Sequence, residues 1–206
     1  MKKFLLLLQV YILFSIYSWG TPLPPIEEIN FTPLKNLIQL PTNEVRNLFQ
    51  DKEGYIWIAT YNGLVRYDGY STQIYHAESE GSEKSIDGFV NIVAEDNQSN
   101  LWIGTHNGLY KLNKKHETIE KIHLPNPQVS NVEAVACTRE GAIWAGTNKG
   151  LFIKKKDEKN FTLYKTAQNI DVKSLLEDKR GHIWIGTWSQ GLFRYDPTQQ
   201  RLYTIF

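Results

Sequence analysis

Five histidines and one cysteine are the side chains of this sequence best fitted to nucleophilic or metal chemistry. Their spacing supports neither. His76, His106, His116, His123 and His182 form no H-x-x-x-H pair, and no C-x-x-C exists, so no zinc-type ligand set can be drawn. Cys137 lies among Ala134, Val135 and Ala136 with no histidine in register, the setting of a small buried hydrophobe rather than a nucleophile. There is no G-x-S-x-G elbow and no phosphate loop. Glycoside hydrolysis would need two carboxylates converging on one cleft. The repeated acids Asp51, Asp96 and Asp178 instead sit in turn signals, where a carboxylate caps backbone amides. The segment Asp96-Asn97-Gln98-Ser99-Asn100 opens like a calcium loop but lacks its glycine and terminal glutamate. The expectation is a protein that is not an enzyme, with no cofactor and no metal.

What remains is binding chemistry. Tyr61-Asn62, His106-Asn107, Asn148-Lys149 and Trp188-Ser189-Gln190 occupy one loop position in four copies of a repeat. Asn, Lys and Gln can bond sugar hydroxyls, and an aromatic ring can stack on the apolar face of a pyranose. These nine residues are the candidate ligand contacts, with oligosaccharide as the candidate partner. The competing reading is structural: Asn favours turns for backbone reasons, and Trp188 could pack between repeats.

The elements that would position these loops follow from that repeat. Trp57, Trp102, Trp144 and Trp184 are spaced by 45, 42 and 40 residues. Each is followed three residues later by Thr60, Thr105, Thr147 or Thr187, and then by Gly63, Gly108, Gly150 or Gly191 with a leucine after it. Twelve residues before each tryptophan stands Val45, Val90, Val132 or Val172. Within one unit, β-prone runs at Val45 to Phe49, Tyr55 to Thr60, Leu64 to Tyr67 and Thr72 to His76 are parted by short turn signals, which makes a four-stranded antiparallel meander. The second strand is apolar on both faces, so both must be covered, and a stacked neighbour can do that. Two residues past each tryptophan is a position without bulk, Ala59, Gly104, Gly146 or Gly186, which makes room for the indole or for a neighbour's side chain. Radial stacking of such units is the β-propeller architecture. The departures, Thr138 for the turn aspartate in the third copy, Ser99 for the turn glycine in the second and one extra residue before Gly191, read as surface-turn variation.

The stretch from Val172 through His182-Ile-Trp-Ile-Gly-Thr to Gly191-Leu-Phe-Arg-Tyr-Asp closely resembles the two-component regulator propeller repeat, as does Asp51 to Asp68. Ser85-Ile86-Asp87-Gly88-Phe89-Val90 is similar to the link between the first two blades of that family. The resemblance implies the periplasmic sensor region of a hybrid two-component system of the Bacteroidetes type. In that family two propellers usually precede a β-sandwich domain, a membrane helix and a histidine kinase, and many members sense oligosaccharides. The sequence itself holds no kinase. Lys115-His116-Glu117-Thr118 has the start of a phosphoacceptor box, without the Arg-Thr-Pro or the helical pattern that would follow. The Asp-x-x-Gly-x-x-Trp element also resembles the Asp-box of sialidases, which is itself a structural turn.

The expected fold is therefore all-β: four four-stranded antiparallel blades at about 45–89, 90–131, 132–171 and 172–206, plus one leading strand at Ile29 to Leu34, forming an incomplete ring. Further blades or another protomer would cover the open faces. A four-bladed ring with a spare strand is the alternative. Residues 1–20 carry the secretory pattern: Lys2 and Lys3, an apolar run from Phe4 to Tyr17, and Ser18-Trp19-Gly20 as a cleavage site. Residues 21–44 form an N-terminal segment. Export to the periplasm is expected, with membrane contact through the signal peptide alone; a retained anchor is the alternative. With 23 basic and 22 acidic residues the chain has no surface for nucleic acid. Three function classes remain: sensor region, stand-alone secreted binding or scaffold propeller, and, more remotely, a propeller lyase or glycosidase.

Overall fold

A computed structural model describes residues 40–75, 85–126 and 128–205. The signal pattern, the leading strand and His76 lie outside them. Sixteen strands form four sheets, each an antiparallel meander in sequence order. The first blade is β1 (Val45–Gln50), β2 (Ile56–Thr60), β3 (Gly63–Tyr67) and β4 (Thr72–Tyr75). The second is β5 (Val90–Glu95), β6 (Asn100–Thr105), β7 (Gly108–Asn113) and β8 (Thr118–Ile122). The third is β9 (Val132–Cys137), β10 (Ile143–Thr147), β11 (Gly150–Lys154) and β12 (Thr162–Gln168). The fourth is β13 (Val172–Glu177), β14 (Ile183–Thr187), β15 (Leu192–Asp196) and β16 (Arg201–Thr204). No helix occurs among the described residues. The architecture is a four-bladed β-propeller array, as the repeat predicts.

The turn between the first two strands of a blade is held by its aspartate. Asp51 Oδ1 accepts the amides of Glu53 and Tyr55, and Oδ2 accepts the Trp57 indole N–H at 2.8 Å. Asp96 does the same for Gln98, Asn100 and Trp102, and Asp178 for Arg180, His182 and Trp184. The repeated aspartate therefore caps the turn, and it also locks the tryptophan six residues on. At the other end of the second strand, each repeated threonine donates its hydroxyl to the carbonyl of the repeated glycine. Gly63, Gly108 and Gly150 take φ of +108°, +125° and +128°, which closes a two-residue turn that a side chain would strain.

Three hydrophobic cores join the four blades in pairs. Trp57, Ala59 and Leu64 pack on Val90, Val93 and Ile103; Trp102 and Leu109 on Val132, Val135 and Ile143; Trp144 and Leu151 on Val172, Ile183 and Ile185. The position without bulk is filled by the next blade's valine. A Cβ on Gly104 would meet Val132, and one on Gly146 would meet Val172. At Gly186 the nearest side chain is Ser174 of the same blade. Val90, Val132 and Val172 are fully buried, whereas Val45 is 43% exposed. Leu48 of β1 and Leu176 of β13 are exposed as well.

One expectation changes. Thr138 is not a surface residue: it is 5% exposed, and its hydroxyl accepts the Ala142 amide. Ser99 adopts φ of +62° in the place of a turn glycine, so the left-handed turn survives without one.

Cys137, at the end of β9, is half-buried and packs against the second core joint. Burial pushes its thiol well above the ordinary value, and the carboxylates of Asp96 and Glu95 push it the same way. The folded protein should therefore resist iodoacetamide at pH 8, labelling at least about tenfold more slowly than the urea-unfolded chain, whose thiol titrates normally. Equal rates in the two states would contradict this packing.

Candidate functional site

The loops after β2, β6, β10 and β14 emerge at one end of the blades, beside the first residues of the inner strands β1, β5, β9 and β13. Antiparallel pairing sets this: Val45 lies opposite Thr60, Val90 opposite Thr105, Val132 opposite Thr147 and Val172 opposite Thr187. The nine loop residues singled out by sequence thus share one face with Arg46, Asn91, Glu133 and Lys173.

The face has two aromatic platforms. Tyr61 and His106, from neighbouring blades, sandwich Phe89, with ring centroids 4.5 and 4.6 Å apart. The Arg46 guanidinium lies 5.3 Å from the Phe89 centroid, so a cation borders the column. Tyr61 is half-exposed and His106 exposed. Phe89 is held there by the link between blades: Ile86 is buried in the first joint, and Gly88 turns the chain with φ of +82°. The second platform is Trp188, 76% exposed, with Lys173 Nζ 5.3 Å from its ring. Trp188 is not packed between blades.

A polar chain runs along the inner strands of the second to fourth blades. Asn91 Nδ2 donates to Asn131 Oδ1 at 2.9 Å, Asn131 Nδ2 to Glu133 Oε1, and Lys173 Nζ to the same oxygen at 2.6 Å. Burial alone would lower the Lys173 pKa, but Glu133 and Asp171 overcome it and hold the ammonium above its usual value. Asn91 Oδ1 and Asn148 Oδ1 are buried acceptors with no hydrogen-bond partner among the described residues.

The remaining loop residues divide by what their backbones do. The amides of Asn62, Asn107, Lys149 and Gln190 donate to the repeated threonine hydroxyl of their own blade. Asn107 Nδ2 also bonds Asp87 at 3.1 Å. The Trp188 amide reaches the Asp171 carbonyl, and Ser189 is exposed. Sequence reasoning missed Phe89, Arg46 and Lys173. The signal for Phe89 was present, since an aromatic residue follows the turn pair Asp87-Gly88 just before a strand. Among the described residues no group of three or more His, Cys, Asp or Glu could hold a metal ion.

The arrangement offers ring faces and cations on an accessible surface, which suits reversible binding of a polar ligand.

Comparison with known proteins places these features. The family described as Two component regulator propeller matches residues 39–62, 84–107 and 166–189. No curated protein matches the chain. Among solved structures, the extracellular domain of BT4673 from B. thetaiotaomicron, described as a hybrid two component system, is 25% identical with a TM-score of 0.66, over 82% of this chain and 22% of that one. The extracellular domain of BT3049 from the same organism, described likewise, is 23% identical with a TM-score of 0.70, over 84% of this chain and 25% of that one. A streptogramin B lyase shares the fold at 15% identity and a TM-score of 0.66, over 82% of this chain and 57% of that one. The chain spans about a quarter of the length of the two extracellular domains. The three matched stretches each run through an inner strand, its turn and the tryptophan strand to end in the candidate loop, and in them the chain is similar to the two-component regulator propeller family.

Proposed function

We propose that the chain is an exported, ligand-sensing propeller region of a hybrid two-component regulator, and that oligosaccharide is its ligand class. The observation that carries the reading is the Tyr61–Phe89–His106 column with Arg46 beside it, facing the same way as Trp188. Exposed rings next to hydrogen-bonding side chains match the two sides of a sugar, an apolar ring face and a rim of hydroxyls. Similarity to extracellular domains of B. thetaiotaomicron systems supports both the export and the sensing role.

Calorimetric titration with a panel of oligosaccharides tests this. A binding member of the panel is expected, and Tyr61→Ala and Trp188→Ala should each weaken it about tenfold, the loss of one stacking contact of roughly 1–1.5 kcal/mol. Neither ring belongs to a hydrophobic core of the described residues, so both variants should stay folded. Affinity unchanged in both variants would remove this face from the site, and no heat with any member would end the oligosaccharide reading.

A further inference from the structure

The opposite end of the blades carries an anomaly in the third copy. In the first, second and fourth blades a carboxylate oxygen sits on the tryptophan indole N–H at 2.8–3.0 Å. In the third, Thr138 stands in that place. Its hydroxyl takes over one acceptor role, from the Ala142 amide at 2.9 Å, but it does not reach the indole. The Trp144 N–H and the Glu140 amide have no hydrogen-bond partner among the described residues, although the same two donors are occupied in every sister blade. Trp144 as a residue is 4% exposed, but its Nε1 is not among the fully buried, unpartnered atoms of the described residues, so the donor meets reachable space. It is not sealed off, because its ring lines a cavity of about 360 Å³ between the third and fourth blades.

A second substitution opens that cavity. Between the first and second blades the corresponding cleft is filled by Lys114, which reaches Asp51. At the position of Lys114 the fourth blade has Pro197, which lines the cavity. Both members of the ion pair are thus replaced, and space remains. Tyr195 and Tyr164 wall it, with Tyr195 5.0 Å from Trp144 and meeting Tyr164 edge-on at 5.7 Å, and its lining also includes Lys155, Glu140 and Glu177, the last paired with Arg139.

We propose that this cleft is a binding site for a small carboxylate-bearing molecule. Its carboxylate takes the place of the missing aspartate on the Trp144 indole N–H and the Glu140 amide, and its body lies against Tyr164 and Tyr195. The template is internal: the Asp96 carboxylate in the second blade is held by the indole, Asn100 and backbone amides, with no lysine bonded to it, so N–H donors suffice for a carboxylate here. The volume accepts a monosaccharide-sized acid. The site lies at the far end of the blades from Tyr61 and Trp188 and does not depend on the oligosaccharide reading.

Indole N–H resonances in two-dimensional proton–nitrogen spectra test it, with Trp144→Phe identifying the Trp144 signal by its loss. Acetate and glucuronate should each shift that signal saturably in the wild type, while glucose, the neutral comparator, leaves it in place. In Thr138→Asp the internal carboxylate returns, so the signal should already be displaced and acetate should no longer move it. No shift in the wild type, an equal shift in Thr138→Asp, or an equal shift with glucose would each overturn the assignment.

Discussion

Gly104→Ala is expected to destabilise the protein by about 3 kcal/mol, near the upper end of what one added methyl costs in a packed interior. The new Cβ would lie 2.6 Å from Ile92 Cγ2 and 2.8 Å from the Val132 carbonyl oxygen. The first is a side chain that could shift. The second is backbone of the next blade, and moving it means parting β6 from β9. Gly104 has no left-handed φ, so the penalty reports the lost space and not a strained conformation. Gly186→Ala is the matched control. There the added methyl meets the Ser174 hydroxyl, the free end of an exposed side chain, and the change should fall within about 0.5 kcal/mol. Urea denaturation of both variants settles the comparison, and equal losses would mean that the missing side chain does not serve the joint between blades.

Lys114→Met should cost about 3–5 kcal/mol at pH 7, because it leaves buried carboxylates without their cation. The ammonium lies 2.9 Å from Asp51 Oδ2 and 2.8 Å from Glu95 Oε1, one on each side of the first joint. Their side chains are 0% and 3% exposed. Methionine keeps the length of the stem, so the loss is one of charge. Burial pushes the Asp51 carboxyl upward, but the hydrogen bonds from Trp57 and Lys114 outweigh it and hold it below the usual carboxylate value. Its contribution is therefore present above the unfolded carboxylate pKa and lost as pH falls through the lower, folded one. Lys114 is lowered by burial and raised further by its two partners, so its own contribution holds below its ordinary pKa and fades as pH rises through the folded value. The gap between wild type and variant should be flat near neutrality and narrow in acid, where protonation relieves Asp51. A gap that does not change between pH 7 and pH 3 would show that the ammonium is not what holds them.

The fold was legible because the repeat states the same physics four times. Trp57, Thr60 and Gly63 mark a strand and its turn, and the alternation of Trp57 with Ala59 against Ile56 with Ile58 marks a sheet covered on both faces. Gly104 and Gly146 read as room for a neighbour, and Val132 and Val172 fill it. What the repeat does not contain could not be read from it. Lys114 has no counterpart at Pro197, and its partner Asp51 is 63 residues away. The Tyr61–Phe89–His106 column needs a loop from each of two blades and the link between them, so only the packed joint brings it together. Thr138 was visible as an exception, but reading a turn as surface hid its meaning. The aspartate it replaces is a buried acceptor for an indole as well as a turn cap.

The valine that enters a gap on the preceding blade is a fastening without an address. Val132 and Val172 have the same shape, and Gly104 and Gly146 both receive them by lacking a side chain. Nothing in this contact distinguishes the second blade from the third. This contact therefore carries no blade order, and a unit could be copied or removed without designing a new valine seat for it. The loops at the blade ends take no part in the contact and are free to differ, as Tyr61, His106, Asn148 and Trp188 do.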